Sequence, residues 1–121
     1  MWTEHQILAS SSGSLQERLD SLACAYREQL PEKIRQIDAL WQPLAGGALD
    51  DSALKAIYVM AHNMCGSADT FRLPQLTEEA RLLDRALQEV VEGKSQLTPK
   101  VRAHIGELVA ALKAVVGKLT E

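Results

Sequence analysis

Apolar residues recur at helical spacing through the chain, and no segment alternates with period two over a convincing length. The first stripe lies before Pro31 and the second follows it in nearly the same phase; they are Leu15, Leu19, Leu22, Ala23 and Tyr26, then Ile34, Ile37, Leu40, Trp41 and Leu44. A proline fits the first turn of a helix and otherwise kinks one. Residues 15–44 are therefore predicted to form either one kinked helix or two helices that meet at Leu30.

Three more helices follow, each marked by start and stop signals. Ala45-Gly46-Gly47 is a clear stop, after which Asp50, Asp51 and Ser52 offer an N-cap for a helix to about Arg72. Pro74 begins the next helix, which ends before Gly93, and Thr98-Pro99 begins the last. Their apolar positions are Leu54, Ile57, Ala61, Met64, Cys65, Ala68 and Phe71; Leu76, Ala80, Leu83, Leu87 and Val90; and Val101, Ile105, Leu108, Leu112, Val115 and Leu119.

Amphipathic helices joined by short connections predict an all-α fold. We expect an antiparallel up-and-down four-helix bundle with an additional or kinked N-terminal helix. The polar run SSSGS closes the first segment of the chain, so residues 1–13 are predicted to be a flexible tail and residues 14–121 the bundle. With 121 residues, the chain fits one domain.

Composition narrows the classes of function. Acidic and basic residues, 16 and 13 in number, are mixed along the chain without a basic stripe, which disfavours nucleic acid as a partner. No apolar run approaches a membrane span, and the N-terminus lacks the plan of a signal peptide. Cys24 and Cys65 show no metal-ligand spacing. We therefore expect a cytoplasmic monomer that holds no metal.

His62 is the candidate for chemistry. On a helical wheel it lies roughly 130° from the centre of the apolar arc of its helix, so it is predicted to be exposed. The same side of the helix carries Tyr58, Val59, Gly66, Lys55 and Asp69. A solvated surface histidine is the simpler interpretation; His104 is expected to be a boundary residue of the last helix, and His5 falls in the tail.

Gly66 lies one helical turn after His62. Glycine inside a helix costs about 0.5–1 kcal/mol relative to alanine, so its presence there invites an explanation. Either Gly66 eases contact with a neighbouring helix, or it clears the space through which another molecule approaches the imidazole. The sequence leaves both explanations open.

The segment LDDSALKAIYVMAHNMCGSADTFRLPQLTEEARLLDRAL resembles the core of the histidine phosphotransfer (HPt) domains of two-component signalling. The family pattern A-H-x-L-K-G-S-A is met without gaps by Ala61, His62, Met64, Gly66, Ser67 and Ala68. Thr70-Phe71 is similar to the T-F of chemotaxis-kinase phosphotransfer domains, and Leu83-Asp84 matches the closing Leu-acid. Upstream, YREQLPEKIRQIDAL resembles the family's helix with a central Leu-Pro.

The resemblance implies a phosphoryl carrier without independent catalytic activity. His62 would be the phosphoacceptor, Gly66 would admit the active site of a receiver domain, and Asp84 would orient the imidazole. Tyr58, Val59, Lys55 and Asp69 would support the site or contact the partner. The expected partners are a response-regulator receiver domain and a histidine kinase or hybrid kinase. No cofactor is expected on this chain, because Mg²⁺ would be bound by the receiver.

Three residues depart from the family pattern. Cys65 stands where a lysine or arginine is usual, Arg72 stands where a glycine is frequent, and Asp69 adds a negative charge near the expected phosphate. Lys55 and Arg72 are the basic residues that could restore positive charge. The alternatives are an HPt-like adaptor that binds its partner without carrying phosphate, and a structural helical domain in which His62 has no role.

Overall fold

The computed structural model describes the backbone of residues 4–121 and the side chains of residues 14–121. Four helices account for nearly all of the described chain and come in the order α1 (Glu4–Ala45), α2 (Asp51–Thr70), α3 (Pro74–Val91) and α4 (Pro99–Leu119). Each helix packs against the helix before and after it, and α4 closes the ring against α1. Because the connections are short, neighbouring helices run antiparallel, which confirms the predicted four-helix bundle.

One continuous core lies between the four helices. Its members are Tyr26, Leu30, Ile34, Ile37, Trp41, Leu44, Leu54, Ile57, Ala61, Met64, Ala68, Leu73, Leu76, Ala80, Leu83, Leu87, Ile105, Val109, Leu112 and Val116. Most of them were predicted from the helical spacing; the additions are Leu30, Leu73, Val109 and Val116. Eight predicted residues are only half-buried against this core, namely Leu40, Cys65, Phe71, Val90, Val101, Leu108, Val115 and Leu119. The core contains few aromatic side chains, so its stability comes mainly from close packing of aliphatic groups.

The helix α1 is a single helix that continues through Pro31 and Pro43. This decides between the two alternatives for residues 15–44. The helix also begins at Glu4, inside the segment that the sequence predicted as a tail. Residues 1–3 lie outside the described part of the chain, and the flexibility expected for residues 1–13 stays a prediction.

No described side chain of α1 before Tyr26 is buried. The 42 residues of α1 correspond to about 63 Å of helix, about twice the length of α2. Leu15, Leu19 and Leu22 are 57 %, 45 % and 55 % exposed, whereas burial begins at Tyr26. The periodicity identified this apolar stripe correctly, but no other described element covers it. The monomeric state expected from the sequence stays a prediction.

The helix ends follow the signals in the sequence. The Asp50 side chain accepts a hydrogen bond from the backbone N–H of Ala53 at 3.1 Å, and Thr98 accepts one from Val101 at 3.2 Å. Gly47 and Gly93 occupy the positive φ values of 104° and 77° in the turns after α1 and α3, where a side chain would be strained. None of the four described helices is long and apolar enough to cross a lipid bilayer.

Candidate functional site

His62 lies in the middle of α2, on the side of the helix that faces away from the core. Ala61 and Met64, which lie close to it in sequence but on the buried side of the helix, are 0 % and 3 % exposed. They fix the rotation of the helix. The His62 side chain is 64 % exposed. The wheel prediction is therefore confirmed: the imidazole stands on a rigid helix and is open to another molecule.

One nitrogen of the imidazole is held by the neighbouring helix. Nδ1 of His62 lies 3.2 Å from Oδ2 of Asp84 on α3, and the Asp84 side chain is only 15 % exposed. A carboxylate accepts, so the tautomer that fits this contact carries its proton on Nδ1 and leaves the lone pair of Nε2 free. The second oxygen of Asp84, Oδ1, is buried and has no hydrogen-bond partner among the described residues.

The remaining residues predicted for this face lie at different distances from the imidazole. The Tyr58 ring is tilted against it, with the ring centroids 6.0 Å apart, and Val59 is 52 % exposed one turn before it. Lys55 and Asp69 are both exposed, but each is seven residues from His62. That spacing corresponds to about 10 Å along the helix axis. Lys55 and Asp69 therefore flank the site and do not line it.

Gly66 has no packing role within the chain. A Cβ built at this position meets no atom within 4 Å outside its immediate helical surroundings. The idea that Gly66 eases contact between helices is therefore wrong. By contrast, a Cβ at Gly106 would lie 3.6 Å from Nε1 of Trp41, where α4 approaches α1. The space over Gly66 is open next to His62.

Cys65 points toward α3 and not toward the imidazole. Its side chain is half-buried, and Sγ donates a weak hydrogen bond to the backbone oxygen of Thr77 at 3.7 Å. Cys65 packs against the core as a small apolar residue, as the wheel predicted. It brings no positive charge to the position where the family usually has a lysine or arginine.

The turn that joins α2 to α3 is a Schellman motif. The N–H of Leu73 donates to the oxygen of Ala68 at 2.9 Å, and the N–H of Arg72 donates to the oxygen of Asp69 at 3.1 Å. This motif requires a left-handed residue, and Arg72 adopts a φ of 57°. A side chain in that conformation costs about 1–2 kcal/mol relative to glycine. Among the described non-glycine residues, Arg72 alone has a positive φ.

A groove between α2 and α3 lies next to this turn. It is lined by Asp69, Arg72, Pro74, Thr77, Glu78 and Arg81. The Arg81 guanidinium is paired with Glu78 at 3.3 Å. Arg81 was missed in the sequence, although it lies one turn before Asp84 on α3. Its place in the groove depends on how α2 and α3 pair, which the pattern of one helix does not reveal.

The far side of α2 is held by aromatic packing. Tyr26 of α1 stacks on Phe71, with the ring centroids 5.1 Å apart, and its hydroxyl lies 3.5 Å from the backbone oxygen of Met64. Burial raises the pKa of Tyr26, and a hydrogen bond with Ser67 partly offsets this. Met64 is buried as expected, whereas Phe71 is only half-buried.

The other two histidines do not join the site. His104, expected at the boundary of the α4 stripe, is exposed. The side chain of His5 lies outside the described residues. His62 is thus the described histidine that combines an exposed ring with a carboxylate partner on a neighbouring helix.

Comparison with known proteins identifies the family of the chain. A sequence profile of the Hpt domain matches residues 21–115, which include all of α2 and α3 and most of α4. Comparisons with curated proteins and with solved structures give no significant match. The match extends over most of the chain, and the fold is the expected four-helix bundle. The chain therefore belongs to the Hpt domain family, the histidine-containing phosphotransfer domains of two-component phosphorelays.

Proposed function

We propose that His62 accepts a phosphoryl group on Nε2 from a histidine kinase or a receiver aspartyl phosphate and passes it to a receiver aspartate. Hpt domains are phosphocarrier modules of two-component signalling. The observation that carries the assignment to His62 is its exposed ring, whose Nδ1 lies 3.2 Å from the Asp84 carboxylate. This contact leaves Nε2 as the free nucleophile.

The chemistry requires little of this chain beyond a positioned ring. In the forward step the Nε2 lone pair attacks phosphorus, a P–N bond forms, and the P–O bond to the receiver carboxylate breaks. The ring becomes cationic in this step, and the Asp84 carboxylate stabilises the proton that stays on Nδ1. The reverse step returns the phosphoryl group to a carboxylate oxygen and restores the neutral ring.

The partner supplies the rest of the site in this proposal. Phosphoryl transfer depends mainly on positioning and on stabilisation of charge by cations. A receiver domain would bring its acceptor aspartate, a lysine and Mg²⁺, so the carrier needs no cofactor of its own. Gly66 leaves room for that active site to reach Nε2, and Tyr58 and Val59 offer apolar contact beside the ring. We place the exchange in the cytoplasm.

A labelling experiment tests the assignment. The full chain is incubated with phosphorylated receiver domains or with an autophosphorylating hybrid kinase, and the product is examined for a label that is acid-labile and alkali-stable. We expect wild-type protein to be labelled and His62→Gln to take no label. His104→Gln is the matched control, because it removes another exposed histidine, and it should be labelled like wild type. Equal labelling of His62→Gln would exclude His62 as the acceptor.

The second candidate is an adaptor that binds a receiver or kinase through the same face without carrying phosphate. Cys65 favours it, because a half-buried thiol replaces the cation that the family usually places beside the phosphate. The same experiment separates the two candidates. Retained binding by His62→Ala, together with an unlabelled wild type, would support the adaptor and exclude transfer.

A further inference from the structure

We propose that Arg72 is a specificity-determining residue that binds an acidic side chain of the receiver domain docked over His62. The proposal rests on the proposed function, since it assumes that a receiver approaches Nε2. It concerns a residue that is ten positions from the acceptor histidine and lines the groove between α2 and α3.

The position of Arg72 places it within reach of such a partner. Ten residues of helix span about 15 Å, and a typical protein interface covers about 800 Å² per partner, a patch roughly 30 Å across. Gly66 lies between His62 and Arg72 along the chain, and the groove lies beside Arg72. A receiver centred on His62 therefore extends over the open space at Gly66 and reaches Arg72.

The charges in the groove leave Arg72 available. Arg81 is paired with Glu78 at 3.3 Å, whereas no carboxylate of the described residues is within ion-pairing distance of the Arg72 guanidinium. Its side chain is exposed. The chemistry that complements an exposed, unpaired guanidinium is a carboxylate, which arginine binds through two parallel hydrogen bonds.

The backbone gives an independent reason to look for a function here. Arg72 occupies the left-handed position of the Schellman motif with a φ of 57°, which glycine fills without strain. The two other described turns with positive φ are made by glycine, Gly47 and Gly93. Strained residues of this kind are concentrated at functional sites. The fold alone favours glycine at this position, yet the residue is arginine.

Two variants of Arg72 separate charge from strain. Arg72→Gly removes both, and Arg72→Lys keeps both. Lys100→Ala is the control for net charge, because Lys100 is exposed at the start of α4 and is in no ion pair among the described residues. Each full-length variant is phosphorylated on His62 with phosphoramidate and mixed with receiver domains. The receiver domain that removes the phosphoryl group from wild type fastest is then titrated at two salt concentrations.

For Arg72→Gly we expect a melting temperature about 4–10 °C higher than that of wild type, because it relieves about 1–2 kcal/mol of strain. The receiver concentration for half-maximal transfer should rise about fivefold, with an unchanged rate at saturation and a weaker salt dependence. Arg72→Lys should melt like wild type and transfer with at most a twofold loss. Lys100→Ala should match wild type in transfer.

The outcomes distinguish this proposal from the one it rests on. If wild type takes no label on His62, the proposed function fails and the role of Arg72 fails with it. If wild type transfers and Arg72→Gly has the same half-maximal concentration, the role of Arg72 alone is overturned. A loss in Arg72→Lys as large as that in Arg72→Gly would overturn the charge argument, and a lower melting temperature for Arg72→Gly would overturn the strain argument.

Discussion

Gly66→Ala should make this protein more stable and less able to transfer phosphate. Alanine is favoured over glycine in a helix interior by about 0.5–1 kcal/mol. The added Cβ meets no atom within 4 Å beyond its immediate helical surroundings, so no clash offsets this gain. A change of that size corresponds to a rise of roughly 2–5 °C in melting temperature for a domain of this length.

The same methyl group should obstruct the partner. If the receiver packs closely over Gly66, an extra methyl group in that interface costs about 1–3 kcal/mol. This corresponds to a loss between about 5-fold and 150-fold in the apparent second-order rate constant of transfer. Stability and transfer would then change in opposite directions, which separates lost docking from lost folding.

Gly117→Ala is the matched control for this experiment. Gly117 is also an exposed glycine in a helix, and a Cβ there also meets no atom within 4 Å, but it lies near the end of α4. We expect it to leave transfer unchanged and to stabilise the protein by the same amount or less. Melting curves and the rate of label transfer to a receiver measure both effects. Unchanged transfer by Gly66→Ala would refute the idea that Gly66 provides clearance.

Two further predictions concern orientation and packing. Asp84→Ala should slow labelling of His62 about tenfold, because Nδ1 loses a charge-assisted hydrogen bond. Asp84→Asn keeps an acceptor oxygen and should reduce the labelling rate less. Equal labelling rates in wild type and both variants would exclude the idea that Asp84 positions the imidazole. Leu30→Ala should cost about 2–5 kcal/mol of unfolding free energy in a urea titration, whereas Leu19→Ala should cost under about 1 kcal/mol because Leu19 is 45 % exposed. Similar costs for both leucines would mean that the stripe on α1 is covered in solution.

The helices and their limits could be predicted because their signals are local. A cap such as Thr98 satisfies a backbone N–H three residues away, and Gly93 ends α3 through its own φ. The exposure of His62 could also be predicted, since a helix that packs on one side leaves the opposite side to solvent. These features depend on a few neighbouring residues and on one helical period.

Other features depend on what lies opposite a residue in space. Periodicity identified Leu15, Leu19 and Leu22 as an apolar stripe, but it does not say whether another element covers that stripe. For the same reason the sequence left two explanations for Gly66, and only the empty space above it decides between them. Arg81 was missed because it reaches the groove only when α2 and α3 pair. The sequence did not decide whether residues 15–44 form one helix or two, because proline is compatible with both.

Three residues of α2, α3 and the turn between them have features that normally destabilise a fold. Gly66 occupies a helix interior without a contact that requires it. Arg72 occupies a left-handed position that is glycine in the turns after α1 and α3. Asp84 buries an oxygen without a partner, which typically costs about 1–3 kcal/mol.

All three residues belong to the α2–α3 half of the bundle, and none contributes to the core. Such features also occur on α4, where Nε of Arg102 is buried without a partner among the described residues and Gly117 has no contact that requires a glycine. Strain alone therefore does not locate a docking face. On α2 and α3 the same features surround a histidine with an exposed ring, and they fit the proposed docking of a receiver there, since natural sequences depart from local consistency mainly at functional sites.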